Sequence, residues 1–446
     1  MRSLQFLNHA SYKCETNEFI ILCDPWLEGT AFNNGWALLD TSTRNDLLLD
    51  ELSNTEKEIF VWYSHEHSDH FAVPFLKKLK AIKPDTKFFF QTTEDGRVVS
   101  FLRSNGFHVE VLKDGEVANL SKNSWISISA WKGGDSLSIM SIDGFTILNL
   151  NDCVVASTQD CNEVLNLLKD LNVDNLDILF TQFGYAGWCG NENDVEDRKA
   201  EADEKLRRIE TQLRALRPNN TVLFASFVFF SSEYNFYLND AQNTPLAVRQ
   251  SIHLKPFHND VYFMKPFDCV SLDRNLSQSL SAITVAAEKH WQDAYGKAQP
   301  ITYERKIYAL KDIIKAYKSY KLKIHFAFFG VFALIEMMGV RKPLKVHIVD
   351  LNKVVILSYL RRTKISDKID GWDIAMFSDD LMFSITRVFG FDCTHVNGRF
   401  RSANKNSNKE FRRFTWPQEM LRQGFGFKRP VKTLKVFMRL AKRYFS

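Results

Sequence analysis

The sequence has no CxxC pair. Its seven cysteines (Cys14, Cys23, Cys153, Cys161, Cys189, Cys269, Cys393) are scattered and odd in number, which argues against a disulfide framework. It opens with no charged-then-apolar leader. It also lacks a long uninterrupted apolar run. The best candidate, Ile324 to Val340, contains Glu336 and two glycines, so it is too short and broken to span a bilayer and reads as a buried helix. A cytoplasmic protein is the simplest expectation. Excess charge is also missing: the net is only +5 over 446 residues. It is uneven, because from Arg399 to Arg443 fourteen Lys/Arg stand against two acids, Glu410 and Glu419. That arm could meet an anionic membrane, a nucleic acid or an acidic partner. The charges of 195–216 alternate in sign three or four apart, which favours an exposed helix, and no nucleic-acid partner is expected. The length calls for about two domains.

What is present is concentrated in Ser64-His65-Glu66-His67-Ser68-Asp69-His70. An apolar, β-prone run, Glu58 to Tyr63, precedes it, and Val73 to Leu79 has helical apolar spacing. The cluster therefore sits on a strand-to-helix loop. Residues two apart in extended chain face the same way, so His65 and His67 can grip one ion. Asp69 and His70 follow the turn and suit a second ion. Imidazole and carboxylate favour zinc, iron or manganese.

This HxHxDH spacing resembles the signature of the metallo-β-lactamase superfamily. Other stretches are similar to the metallo-β-lactamase-like domain of CMP-N-acetylneuraminate hydroxylases: Asp24-Pro25-Trp26-Leu27, Leu148 to Cys153, Phe183-Gly184-Tyr185-Ala186-Gly187, and Phe224 to Val228 with Tyr237-Leu238-Asn239-Asp240. The resemblance covers roughly residues 1–260. It implies an α+β fold, an αβ/βα four-layer sandwich, followed here by a C-terminal α+β domain. The expected divisions are 1–270 for the sandwich, 271–302 for a helical connection, 303–400 for the second domain, and 401–446 for a basic amphipathic tail. In the second domain 345–350, 353–357, 373–377 and Thr394-His395-Val396 read as strands, in a pattern similar to sterol-carrier-like tails. In the last helix Leu434, Val436, Phe437, Leu440 and Ala441 fall near one face, which suits docking on the body or on a membrane.

The resemblance implies that Asp152 bridges two ions. It also implies a histidine between the HxHxDH loop and Asp152, but 123–151 contains none. Asp135 is one candidate substitute. Ser232 stands where related hydroxylases carry another histidine, and His253 and His258 could close the second site. His65, His67 and Asp152 form a two-histidine, one-carboxylate set. That set suits iron and oxygen chemistry, or zinc with a water nucleophile. Asp69 is either a ligand or a general base. His9, Trp26 and Tyr185 are candidate substrate contacts, with a packed hairpin histidine equally open for His9. Cations of the 399–413 arm could reach substrate phosphates.

The expected cofactor is zinc or iron, one or two ions. The expected function is metal-dependent hydrolysis of a small molecule, by resemblance a sugar nucleotide or an amide- or ester-bearing carbohydrate. Oxygenation is the alternative. The resembling hydroxylases carry a Rieske domain whose CxH…CxxH pattern is not found here, so oxygenation would need an external electron donor. A metal-depleted binding or scaffold protein is a third reading, and a phospholipid-directed hydrolase a fourth. Oligomeric state is not legible.

Overall fold

The computed structural model describes residues 2–427 and 429–445, with side chains in the last helix to Met438. Two seven-stranded sheets pack face to face. In the first, the spatial order is Cys269–Ser271, Ser3–Asn8, Ser11–Glu15, Phe19–Cys23, Glu58–Trp62, Lys87–Gln91 and His108–Leu112. In the second it is Val261–Tyr262, Asn220–Phe224, Ile178–Gln182, Phe145–Asn149, Ser136–Ile142, Trp125–Ala130 and Val117–Asn119. The strand Glu58–Trp62 reads as a continuous apolar run because both of its faces are covered. Phe60 and Trp62 point into the core between the sheets. Ile59 and Val61 point outward, under the helices Asn45–Ser53 and Val73–Ile82. Tyr12 of one sheet stacks on Phe180 of the other at 4.5 Å.

The helices Thr158–Asp170, Val195–Leu216 and Leu276–Lys297 cover the far side and complete four layers. The last of these lies in the segment read as a connection. It instead packs Leu276, Leu280, Ala287 and Trp291 into the first core, and Trp291 stacks on Phe227 at 3.9 Å.

The second core surrounds a five-stranded sheet, Lys364–Ser366, Lys353–Leu357, Leu344–Ile348, Ile374–Met376 and Arg401–Ser402. Three expectations fail here. Thr394-His395-Val396 is not a strand but part of the helix Gly390–Asn397. Its β-branched residues suggested a strand, but packing of Phe391 and Thr394 into the interior outweighs that weak propensity. Ile324 to Val340 is not one buried helix. Leu310–Ala327 and Val331–Met337 are separated by Phe329 and Gly330, both at positive φ (51° and 72°). Phe326 and Phe329 are each 75% exposed. The tail begins later than residue 401, because the helix Lys405–Arg422 buries Phe411, Phe414 and Met420 in the second core. In the final helix, Pro430–Phe445, Val436 and Phe437 dock on that core whereas Leu434 is 58% exposed. The side chains of Leu440 and Ala441 lie outside the described residues.

The two units meet closely. A Cβ on Gly35 would stand 2.2 Å from the Asn397 Cβ. Asn235 donates to the carbonyls of Gly35 (2.9 Å) and Asn397 (2.6 Å).

Candidate metal centre

The site forms where strands of both sheets end. His9, Asp24, Asn151 and Ala225 all adopt positive φ, between 38° and 52°. Non-glycine residues held there cost about 1 kcal/mol or more each. The chain therefore turns sharply four times around one small volume.

Asp24 organises the donors. Its Oδ1 accepts the Ser64 backbone N–H at 2.8 Å, and its Oδ2 accepts the Ser64 hydroxyl at 2.6 Å. The same Oδ2 faces His70 Nδ1 at 3.0 Å and accepts from the Asn151 amide. His65 Nδ1 lies 2.9 Å from Ser64 Oγ. With the Ser64 proton committed to Asp24, that oxygen accepts from His65 Nδ1–H. The Nε2 lone pairs of His65 and His70 are then both free to face inward. His67 is held from the other end, its Nε2 lying 3.4 Å from Asp392 Oδ2. Its Nδ1 points at His65 Nε2, 2.9 Å away.

The carboxylates close the cluster. His70 Nε2 is 3.3 Å from Asp69 and 3.4 Å from Asp152. His65 Nε2 is 3.8 Å from Asp152 and 3.9 Å from Asp135. His9 Nε2 is 3.4 Å from Asp69. Two sets of donor atoms lie close enough to share an ion: His65, His70 and Asp152, and His9, Asp69 and His70. His70 Nε2 has one lone pair, so it can serve only one of the two sets, and Asp152 lies between His65 and His70. The second oxygen of Asp152 accepts from Gln182 at 3.1 Å, and Lys205 in turn reaches Gln182 at 3.3 Å.

The electrostatics match this placement. Burial pushes the Asp69 carboxyl up, but His70 and His9 outweigh it and hold it well below the usual range. Asp152, likewise buried, is brought down to about 2 by His70 and His65. Burial and the neighbouring Asp152 charge push Asp135 up to about 6. Burial opposes protonation of His67, but Asp392 raises it to about 9. Burial and the adjacent His70 and His67 hold His65 low.

A cation fits this donor set. Both ring nitrogens of His9, His70 Nε2 and Asp69 Oδ1 are buried without a hydrogen-bond partner, which is costly unless a further group binds them. The donors are all nitrogen and oxygen, which suits zinc or iron.

Other sequence candidates fall elsewhere. His253 pairs with Glu210 (2.9 Å) and Asp203 (3.3 Å) on the long helix Val195–Leu216. His258 lies two residues before Asp260, whose carbonyl accepts from Thr221 at the start of Asn220–Phe224. The site is at the opposite end of that strand, about 13 Å away at 3.3 Å per residue. Ser232 is buried near Arg305 and hydrogen-bonds Asn235. Tyr185 does not face the site; it is buried against Phe230 and donates to the Leu238 carbonyl. Trp26 packs edge-on to His9 at 5.6 Å. Four of the arm cations are paired with acids: Arg399 with Asp380, Arg401 with Glu192, Lys405 with Asp197 and Arg413 with Glu410.

Sequence reading missed Asp24 as a site residue, although its place just after the Phe19–Cys23 strand was a usable signal. Asp392, Gln182 and Lys205 left no local signal. Glu66, the residue between the two histidines, is gripped by Arg97 (3.1 Å) and by Arg422 of the second domain (2.9 Å).

The family model described as "Beta-lactamase superfamily domain" matches residues 3–180. A curated relative, cytidine monophosphate-N-acetylneuraminic acid hydroxylase of Danio rerio, is 29% identical over 157 residues, 34% of this chain and 26% of the relative. The match thus spans about a quarter of that relative's length. Among solved structures, Igni18, a metallo hydrolase from Ignicoccus hospitalis, aligns with TM-score 0.39 and 17% identity over 61% of this chain and 98% of that one. CmlA, a diiron beta-hydroxylase from Streptomyces venezuelae, aligns with TM-score 0.42 and 14% identity over 61% and 54%. With the strand-to-helix HxHxDH loop and the two facing sheets, residues 3–180 of the chain are similar to the beta-lactamase superfamily domain.

Proposed function

We propose that this is a metal-dependent hydrolase acting on a small carbohydrate metabolite, a sugar nucleotide or an amide- or ester-bearing relative. The observation that carries the reading is the convergence of His65 Nε2 and His70 Nε2 on Asp152, with Asp69 beside His70 and His67 Nδ1 beside His65 Nε2, each histidine oriented by a partner on its other nitrogen. One or two zinc or iron ions would be held by His65, His67, Asp69, His70 and Asp152, with Asp135 and His9 at the places where further ligands are needed. An ion bound there supplies Lewis acidity and lowers the pKa of a water. The chain's own residues do the rest. Asp24 aims two imidazoles. Asp69, beside His9 and His70, serves either as a ligand or as the acceptor of the water's proton. Gln182 fixes the rotation of the Asp152 carboxylate. A cleft of about 330 Å³, lined by Glu66, Trp131, Gly134, Arg97 and Arg422, lies beside the loop; none of the donors lines it. The sugar-nucleotide class rests on the name of the curated relative.

The set His65, His70 and Asp152 also favours a second reading, iron-dependent oxygenation. Elemental analysis of protein purified without added metal, against a His65→Ala/His67→Ala variant, separates the readings. About two zinc per chain, lost in the variant, supports hydrolysis. About one iron supports oxygenation. No metal after reconstitution overturns both and leaves a binding or scaffold protein.

A further inference from the structure

The broken helix pair exposes a face that the metal centre does not use. On the helix Leu310–Ala327, positions 311, 315, 318, 322 and 326 fall on one stripe at about 100° per residue. The stripe reads Lys311, Lys315, Lys318, Leu322, Phe326: exposed cations first, exposed apolar side chains at the end. Phe329 at the turn is 75% exposed, and Leu334, Met337 and Met338 that follow are 49–64% exposed. The final helix lies alongside, its Phe437 5.7 Å from Phe332. It turns Val431, Leu434 and Met438 outward and carries exposed Lys435. Phe427, 56% exposed, is tied to the same tip through its backbone N–H and the Ala327 carbonyl (2.8 Å). The acid within this segment is withdrawn: Glu336 is buried and accepts from the Tyr359 backbone N–H at 2.7 Å.

An apolar tip backed by lysines matches an anionic bilayer in both chemistry and depth. Phe326 lies three residues beyond Lys323 and eight beyond Lys318, about 5 and 12 Å along the axis. Apolar groups inserted about 5–10 Å would leave these ammonium groups at the level of the phosphates. The charge also argues against a second copy of the same basic face. We propose that this face, the Phe326–Met338 tip with the outer side of the final helix, docks the protein on anionic phospholipid membranes. The proposal is independent of the chemistry at the metal centre. Among the described residues no helix is long and apolar enough to cross a membrane, so the contact is at the surface. A cavity of about 930 Å³ runs inward from Phe326 and Phe427 to Arg97 and Arg422, the two residues that hold Glu66.

The test is sedimentation of the full chain with phosphatidylcholine vesicles, with and without about a third phosphatidylglycerol. Two variants are compared, Phe326→Ser/Phe329→Ser and Lys315→Glu/Lys318→Glu/Lys323→Glu. All these positions are exposed, and circular dichroism melts check that folding is kept. Supporting results are binding to the anionic vesicles, its loss in high salt, and a drop of at least about tenfold in partitioning for each variant. Absence of binding to anionic vesicles, or variants that bind as the wild type does, overturns the proposal. So does a vesicle-free dimer that the Phe326→Ser/Phe329→Ser variant dissociates.

Discussion

Asp392 belongs to the second domain, yet its carboxylate lies 3.4 Å from Nε2 of His67 in the metal loop. Replacing it tests whether that domain helps to build the centre. With Nε2–H held by Asp392, His67 presents Nδ1 beside His65 Nε2. Removing the carboxylate lets the ring rotate and exchange tautomers. A hydrogen bond to a charged group contributes about 1.5–3 kcal/mol, which is roughly 10–150-fold in an equilibrium constant. Carboxylate–histidine–metal partners elsewhere contribute about 10–100-fold in metal affinity. Asp392→Ala should therefore weaken metal binding by about 10–100-fold, and Asp392→Asn, which keeps an acceptor, by less. Chelator competition on the purified protein measures this directly. Arg422→Met, which frees both Glu66 and the neighbourhood of Asp392, should act in the same direction. Unchanged affinity in a folded Asp392→Ala variant would refute the role of the second domain.

Three further outcomes follow from the geometry. His9→Ala should lower metal content or affinity, whereas His253→Ala should leave both unchanged, because His253 is held by Glu210 and Asp203 on the outer helix; equal effects would contradict the assignment. His395, buried beside Arg412, is held down to about 3, below its unfolded value of about 6.5. The unfolded chain then binds the extra proton, and stability present above that value is lost as pH falls, by at most about 2 kcal/mol at pH 5. Urea midpoints at pH 7 and 5 should diverge more for the wild type than for His395→Gln. Gly35→Ala should destabilise the contact between the units by about 1–3 kcal/mol, since its Cβ would collide with Asn397; limited proteolysis of the second domain reports it, and an unaltered cleavage rate would count against the close approach.

The sequence alone determined the metal loop. An apolar strand, HxHxDH and an amphipathic helix are local signals, because the spacing that puts His65 and His67 on one side is a property of extended chain. It likewise determined the sandwich, since buried parallel strands such as Glu58–Trp62 announce themselves by continuous apolarity. Tertiary structure alone decided what surrounds the donors. Asp24 and Asp392 are 368 positions apart, yet they hold neighbouring imidazoles, and no periodicity links such a pair. His253 and His258 are equal candidates by residue type, but His253 is held by the outer helix and His258 lies at the far end of a strand from the centre. The same holds at Ile324–Val340, where composition says buried. Only the break at Phe329 and Gly330, and the absence of a covering element among the described residues, leave Phe326 and Met337 facing outward. Local pattern sets which groups a segment can offer, and which of them meet depends on chain reversals whose energy is spread over contacts distant in sequence.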